Sequence, residues 1–226
     1  MKRFWTDVTV DPDGSIRLDA KPVRTPRRTP LALPSAALAE AVADEWRAVE
    51  GRVDPQAMPL TGLANAAIDL VSPDPAAFAA GLAAYGETDL LCYRADSPED
   101  LVTRQAAAWD LLLDWARGRY DVHFEVTAGI MHRPQPPATI ARLGEAIAAR
   151  SAWELAPLSP IVTITGTLVG ALALAEGAVD GDALWDAAHL DEMWQAEQWG
   201  ADPLAIGARE ARRRDYDAAV RFLSLV

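Results

Sequence analysis

Residues 4–23 read FWTDVTVDPDGSIRLDAKPV, and this stretch decides the fold of the first part of the chain. Apolar and polar residues alternate in VTV (8–10) and again in IRL (16–18), which is the period of a half-buried β-strand. Between them, Asp-Pro-Asp-Gly at 11–14 is typical of a turn. The pattern predicts two antiparallel strands of a sheet that has one covered face.

The residues that follow supply a third strand and a cover for the sheet. TPLALP at 29–34 has the pattern of a short strand, and it comes after a link rich in proline and arginine. Ser35 is a favourable helix N-cap, and Gly51 is expected to end the helix. One side of that helix carries Leu38, Val42, Trp46 and Val49. A sheet covered by one helix makes this part of the chain α+β.

After VDPQ (53–56) alanine, leucine and tryptophan recur at helical spacing, and we find no further convincing strand. The predicted helices cover 59–70, 75–85, 98–119, 139–150, 161–176, 182–199 and a final segment that ends in RFLSLV. The sequence therefore predicts an α+β fold in two domains. A small N-terminal domain with the sheet and its covering helix spans residues 1–72, and a larger, mostly helical domain spans residues 73–226.

Composition and charge exclude several classes of function. The net charge of −12 argues against a non-specific nucleic-acid binder and against attraction to anionic lipid. Residues 161–175 are apolar but too short for a membrane span, so we expect a buried helix there. The GxxxG formed by Gly166 and Gly170 is expected to permit close helix packing. No targeting pattern follows Met1, which favours a cytoplasmic location.

Signatures of catalysis, metal binding or cofactor binding are absent from the sequence. The single cysteine, Cys92, lies in the apolar run LLCY, so we expect a buried thiol with a raised pKa. Paired carboxylates are the one enzymatic option: Glu87 and Asp89 could share a cleft with the acids near residue 192. Alternatively, Asp89 caps the LLCY segment and Arg94 pairs with one of the two acids. We expect no cofactor and no metal.

Residues 190–200 read LDEMWQAEQWG, which concentrates three acids and two tryptophans in eleven residues. On a helical wheel one stripe is formed by Leu190, Met193 and Trp194. Glu197 falls in the middle of that stripe, so it needs a partner, such as an arginine of 212–214. Glu192 lies beside Trp199 on another side and is free to face a binding partner. The alternative interpretation is an ordinary amphipathic helix in which Glu197 pairs with an arginine.

Tryptophan placement points in the same direction. Trp109 and Trp115 are six residues apart in one predicted helix, so their side chains face different sides. At least one of them should therefore face a neighbouring element or a groove. A partly exposed tryptophan beside acids is typical of a protein-binding surface.

Seven stretches together resemble, in the same order, the ATP synthase assembly factor 2 family, chaperones of the α subunit of the catalytic sector. They are RFW near the start, IRLDAKPVRTP, LALPSAALAEAVADEW, MPLTGLANAAID, TDLLCYRA, WDLLLDWARGRY and LDEMWQAEQWG. The uncommon TDLLCYR and the EQWG ending make the resemblance specific. Gly62 departs from it where a basic residue is expected, and Met193 departs where relatives often carry an acid.

The resemblance implies a two-domain chaperone without enzyme activity, which we expect to be a monomer, and the lack of a presequence favours a bacterial member. Its client is the newly made ATP synthase α subunit, whose β-subunit-facing surface it covers until the hexamer forms. The resemblance also implies that an acid within 190–200 is functionally important, with Glu192 as first choice. The other candidate client-binding residues are Asp191, Glu197, Gln195, Trp194 and Trp199. Nucleic acid, membrane insertion and a small-molecule substrate are not expected. The alternatives are a hydrolase or lyase that uses paired carboxylates, and a purely structural scaffold.

Overall fold

The computed structural model describes residues 1–129, 131–200 and 202–226. Two compact units are present, and each is built from separate parts of the chain. The sheet unit comprises Met1–Pro75, Arg150–Leu158 and Asp215–Val226, and the helical unit comprises Ala76–Ala149 and Ser159–Arg214. The division into domains at residues 72 and 73 stays a prediction.

The sheet of the first unit has three antiparallel strands: β1 (Val8–Val10), β2 (Ile16–Leu18) and β3 (Lys21–Pro22), in that order. The α+β fold class is therefore confirmed, as is the pairing of the first two strands. The expected strand over residues 29–34 is wrong, because Pro30 and Ala32 form only isolated bridges. Prolines at 30 and 34 cannot donate a backbone hydrogen bond, so a continuous ladder is not available to this segment.

Helix α1 (Ala36–Arg47) covers the sheet, as expected. The Ser35 hydroxyl accepts a hydrogen bond from the Leu38 N–H at 3.1 Å and donates one to the Leu225 carbonyl at 2.5 Å. The helix ends at Arg47, four residues before Gly51, so the predicted end was wrong. Its buried side chains share one core with the strands, and that core also includes Phe222 from the end of the chain.

Ser35→Ala is expected to lower the free energy of unfolding by about 1–2 kcal/mol, because the helix loses its cap and Leu225 loses a donor. Urea denaturation followed by circular dichroism measures this change. Ser35→Thr keeps the hydroxyl and serves as the matched control. Equal stability of the alanine variant and the wild type would contradict the role of this hydroxyl.

Ten helices occur within the described residues. After α1 they are α2 (Pro59–Ala66), α3 (Pro75–Ala83), α4 (Glu99–Tyr120), α5 (Pro137–Ala148), α6 (Ala152–Thr165), α7 (Leu168–Ala175), α8 (Gly181–Ala188), α9 (Leu190–Trp199) and α10 (Pro203–Leu225). Short 3₁₀ segments lie at Ala84–Thr88 and Leu90–Cys92. Two further strands, β4 (Tyr93–Arg94) and β5 (Thr127–Ala128), pair in parallel, so the expectation of no further strand was wrong. No helix in the described part of the chain is long and apolar enough to span a bilayer.

Two of the predicted helices are broken in the structure. The one expected over 161–176 is divided between α6 and α7 at Gly166, whose φ of +69° is left-handed. Thr167 then caps α7 by accepting from the Gly170 N–H. A Cβ on Gly170 would lie 2.5 Å from Leu184 Cδ1, which confirms close packing at the second glycine, here between α7 and α8. The helix expected over 182–199 is broken at His189 between α8 and α9.

Asp89 lies in the helical unit, and its side chain is completely buried. Its two carboxylate oxygens accept hydrogen bonds from the Leu91 N–H at 3.1 Å and from the Val169 N–H at 2.9 Å. Burial raises the pKa of Asp89 to about 6, although these bonds act in the opposite direction. The predicted cap on the LLCY segment is confirmed. Arg94 pairs with Asp110 at 2.8 Å, so its expected pairing with Glu87 or Asp89 was wrong.

Candidate functional site

Helix α9 is fixed along one side to α4. The Asp191 carboxylate accepts a hydrogen bond from Gln105 Nε2 at 2.7 Å. The Trp194 indole N–H donates to Asp100 at 3.0 Å. A third contact, 2.7 Å long, joins Glu197 to Arg104. Three of the six candidate residues therefore face α4, where they position α9.

On another side, α9 is fixed to α10. Glu192 lies 2.7 Å from Arg212 and 3.8 Å from Arg209, and 34% of its side chain stays exposed. We expected Glu197 to be the internal acid with a partner among 212–214 and Glu192 to be unpaired, and both expectations were wrong. Glu197 does pair with an arginine, as the amphipathic interpretation required, but the partner is Arg104.

The roles expected for Glu192 and Glu197 are reversed because the covered sides of α9 are not those that the helical wheel suggested. Met193 was placed on the same apolar stripe as Trp194, but it is exposed, and only Trp194 is buried in this helix. The helix contacts α4 and α10 through polar side chains rather than through a continuous apolar stripe. A helical wheel gives the angles between side chains, but it does not say which side meets a neighbour.

A surface hollow of about 210 Å³ lies between α9 and the start of α10, and we call it the α9–α10 hollow. Its lining residues are Glu192, Gln195, Ala196, Trp199, Gly200, Asp202, Ala205, Ile206 and Arg209. The structure thus brings together three of the candidate residues: Glu192, Gln195 and Trp199. Trp199 is 74% exposed and contacts the buried Trp194 edge to face, with 5.6 Å between the ring centroids. Trp199 therefore exposes a large aromatic surface to solvent, while its contact with Trp194 restricts the position of the ring.

His189, at the start of α9, is buried against Trp185. The two rings stack with centroids 3.7 Å apart, and His189 Nδ1 lies 3.0 Å from the Trp185 carbonyl oxygen. Burial lowers the pKa of His189, so the imidazole is neutral at pH 7. The charge of Glu192 is therefore balanced by arginine side chains and not by this histidine.

A second concavity, the α4–α8 groove, has a volume of about 450 Å³. Its lining residues are Ala108, Leu111, Leu112, Trp115, Ala178, Val179, Ala183, Asp186, Ala187 and Leu190. Trp109 lies below the surface, where its indole N–H donates to the Ala187 carbonyl at 2.7 Å. The expectation that Trp109 and Trp115 face different sides, with one at a groove, is confirmed.

The carboxylates of the enzymatic alternative each form hydrogen bonds or ion pairs with other groups of the protein. Asp89 is buried and bonded to backbone N–H groups, and Glu87 accepts a hydrogen bond from the Gln135 N–H at 3.2 Å. Glu192 pairs with arginines. Burial raises the pKa of the Cys92 thiol to about 12, which confirms the expected inert thiol. Within the described ranges, no group of three or more His, Cys, Asp or Glu side chains is placed to hold a metal ion.

Sequence reasoning missed the residues of α10 that line the hollow and, apart from Trp115 and Leu190, those of the α4–α8 groove. Ile206 and Arg209 complete the α9–α10 hollow, and the nearby Leu204 is exposed. The segment PLAIGARE reads as a plain helix start, so its composition carries no signal of a surface. Leu111 lies in a run of three leucines, and the run itself does not show which of them is exposed.

Comparison with known proteins places the chain in a family. The model of a family described as ATP12 chaperone protein matches residues 2–117. The crystal structure of Atp12 from Paracoccus denitrificans is similar, with 40% identity, a TM-score of 0.93, and coverage of 99% of this chain and 97% of that one. A mutant form of the same protein matches with the same values. A candidate chaperone from Agrobacterium tumefaciens matches with 42% identity and a TM-score of 0.93, over 99% of this chain and 85% of that one. The chain therefore belongs to the ATP12 chaperone family.

Proposed function

We propose that this protein is an assembly chaperone of the F-type ATP synthase. It binds the free α subunit and shields the surface that later meets the β subunit, until the catalytic hexamer forms. Membership of the ATP12 chaperone family supports the chaperone class. The observation that carries the binding mode is the exposed Trp199 beside Glu192 in the α9–α10 hollow. We further propose that the protein works as a monomer in the cytoplasm.

The hollow has the chemistry of a protein-binding site. An exposed tryptophan supplies a large apolar contact area, and exposed aromatic anchors dominate the energetics of many interfaces. Because α9 is bonded to both α4 and α10, Trp199 and Glu192 are held in place before the client arrives. Such preorganisation lowers the entropic cost of binding. Binding alone, without a nucleotide cycle, then suffices.

Charge and competition would control the encounter and the release. The chain carries a net charge of −12, so a basic patch on the client would be attracted over a distance that salt shortens. The β subunit competes for the same surface of the α subunit. Release follows by mass action when the true partner binds more tightly.

Wild-type protein is expected to capture the isolated α subunit, but not the β subunit, and to suppress aggregation of the α subunit after dilution from denaturant. A pull-down with each subunit and light scattering during refolding measure these two effects. Capture should weaken as the salt concentration rises, because screening removes the long-range attraction. An α subunit that aggregates equally with and without the protein would contradict the proposal. A complex that persists in the mature synthase would also contradict it, because a permanent complex indicates a structural scaffold.

A further inference from the structure

The shape of the α4–α8 groove has a simple cause. Small side chains face each other where the two helices meet: Ala108 on α4, and Ala183 and Ala187 on α8. Alanines leave the space that larger residues would fill. The Trp109 indole N–H donates to the Ala187 carbonyl at 2.7 Å, and Trp109 is almost completely buried, so the helices below the groove are tied together. The groove is a preformed depression.

Two large apolar side chains border this depression. Their exposure to water does not stabilise the unbound protein. Leu111 is 72% exposed, and Trp115 lines the same groove. The volume of about 450 Å³ falls in the range of roughly 300–1,000 Å³ that is typical of ligand-binding pockets. A contiguous exposed apolar surface of this kind marks an interaction site.

A negative charge in the groove indicates what kind of side chain would bind there. Asp186 is the one ionisable side chain among the residues that line the groove, and it is exposed. In the described part of the chain no cation pairs with its carboxylate, unlike Glu192, which has Arg212. An occupant with an apolar side chain and a neighbouring lysine or arginine would fill the depression and also neutralise this carboxylate.

Helix α9 contributes residues to both concavities. Leu190, the first residue of α9, lines the α4–α8 groove, and Trp199, the last, lines the α9–α10 hollow. At 1.5 Å per residue, the ends of this helix are about 14 Å apart. Nine residues at about 100° each place the side chains of Leu190 and Trp199 on opposite sides of α9, so the groove and the hollow are two separate contact points.

We propose that the α4–α8 groove binds an apolar side chain, flanked by a basic residue, on the client. The proposal rests on the proposed function, since the client is the free α subunit. Leu111 and Trp115 supply the apolar contact, and Asp186 pairs with the basic residue. The groove thereby selects a segment with both features, and the hollow supplies the second point of attachment.

Affinity of the full-length protein for isolated α subunit tests the groove, with the variants Leu111→Gln and Asp186→Asn. Glutamine keeps a high helix propensity while removing the apolar contact, so thermal unfolding should stay near that of the wild type. We expect Leu111→Gln to weaken binding about tenfold, and Asp186→Asn to weaken it less while reducing its salt dependence. Leu70→Gln is the matched control, because Leu70 is an exposed leucine of the other unit.

The outcomes separate this proposal from the function on which it rests. Loss of affinity in Leu111→Gln together with unchanged affinity in Leu70→Gln supports the groove. Unchanged affinity in Leu111→Gln, while the wild type binds, overturns the groove and leaves the proposed function intact. A wild type that binds no α subunit overturns both. A wild-type dimer that becomes monomeric in Leu111→Gln, measured by light scattering, would assign the groove to a second copy of this chain and overturn the proposal.

Discussion

Replacing Glu192 with lysine is expected to weaken capture of the α subunit by about 100-fold or more. The wild-type carboxylate lies 2.7 Å from Arg212 and 3.8 Å from Arg209. A lysine would place a third cation beside these two guanidinium groups and make the α9–α10 hollow basic. The contact between α9 and α10 is then lost, and a basic client is repelled. Pull-down with titrated α subunit measures the change.

Glu197→Lys is the matched control for this variant. Glu197 is also an acid of α9 that pairs with an arginine at 2.7 Å, but it faces α4 and lies outside the hollow. We expect it to bind the α subunit within a few-fold of the wild type, allowing for the same change in net charge. Circular dichroism should show that both variants are folded. Equal loss of binding in both would mean that net charge, not the hollow, governs capture.

Asp89→Ala is expected to lower the free energy of unfolding by about 2–4 kcal/mol at pH 7. Both oxygens of the buried carboxylate accept backbone N–H groups, from Leu91 and Val169. Alanine offers no acceptor, so both backbone N–H groups would be left without a partner in a place that water does not reach. Urea denaturation measures the loss. Asp110→Ala, at an exposed acid of α4, is the control and should change stability much less.

The pH dependence of this difference has a definite sign. The pKa of Asp89 is raised from 3.8 to about 6 by burial, so the folded protein binds this proton more tightly than the unfolded chain. The contribution is complete below pH 3.8 and is lost as the pH rises through 6. Between pH 7 and pH 4, the stability of the wild type relative to Asp89→Ala should rise by about 2 kcal/mol. A relative stability that falls on acidification would contradict this assignment.

Local signals in the sequence were sufficient for the hairpin, for the Ser35 cap and for most of the helices. These features depend on residues close to one another in the chain, such as the Ser35 hydroxyl and the Leu38 N–H. The break at Gly166 was missed because apolar residues continue on both sides of it: isoleucine and valine before the glycine, and leucine, valine and alanine after it. The segment divides where the Val169 N–H, at the start of α7, donates a hydrogen bond to the buried Asp89 carboxylate. Asp89 is 80 residues away in the chain.

The candidate site was predicted as a segment but not as an arrangement. Residues 190–200 were identified from their acids and tryptophans, and the hollow includes Glu192 and Trp199 from that segment. The partners of the acids lie elsewhere in the chain: Arg104 is 93 residues from Glu197. No spacing within α9 encodes such a contact, so the roles of Glu192 and Glu197 were assigned the wrong way round.

The position of Phe222 bears on the order in which the chain can fold during synthesis. Phe222 is completely buried in the core that the strands and α1 share, and Ser35 is bonded to the Leu225 carbonyl. The strands and α1, which are synthesised long before Phe222, therefore cannot close their core until α10 has been made. Until the ribosome has released α10, the apolar faces of the sheet and α1 stay partly open. A protein proposed to protect another subunit from aggregation thus passes through an aggregation-prone stage of its own.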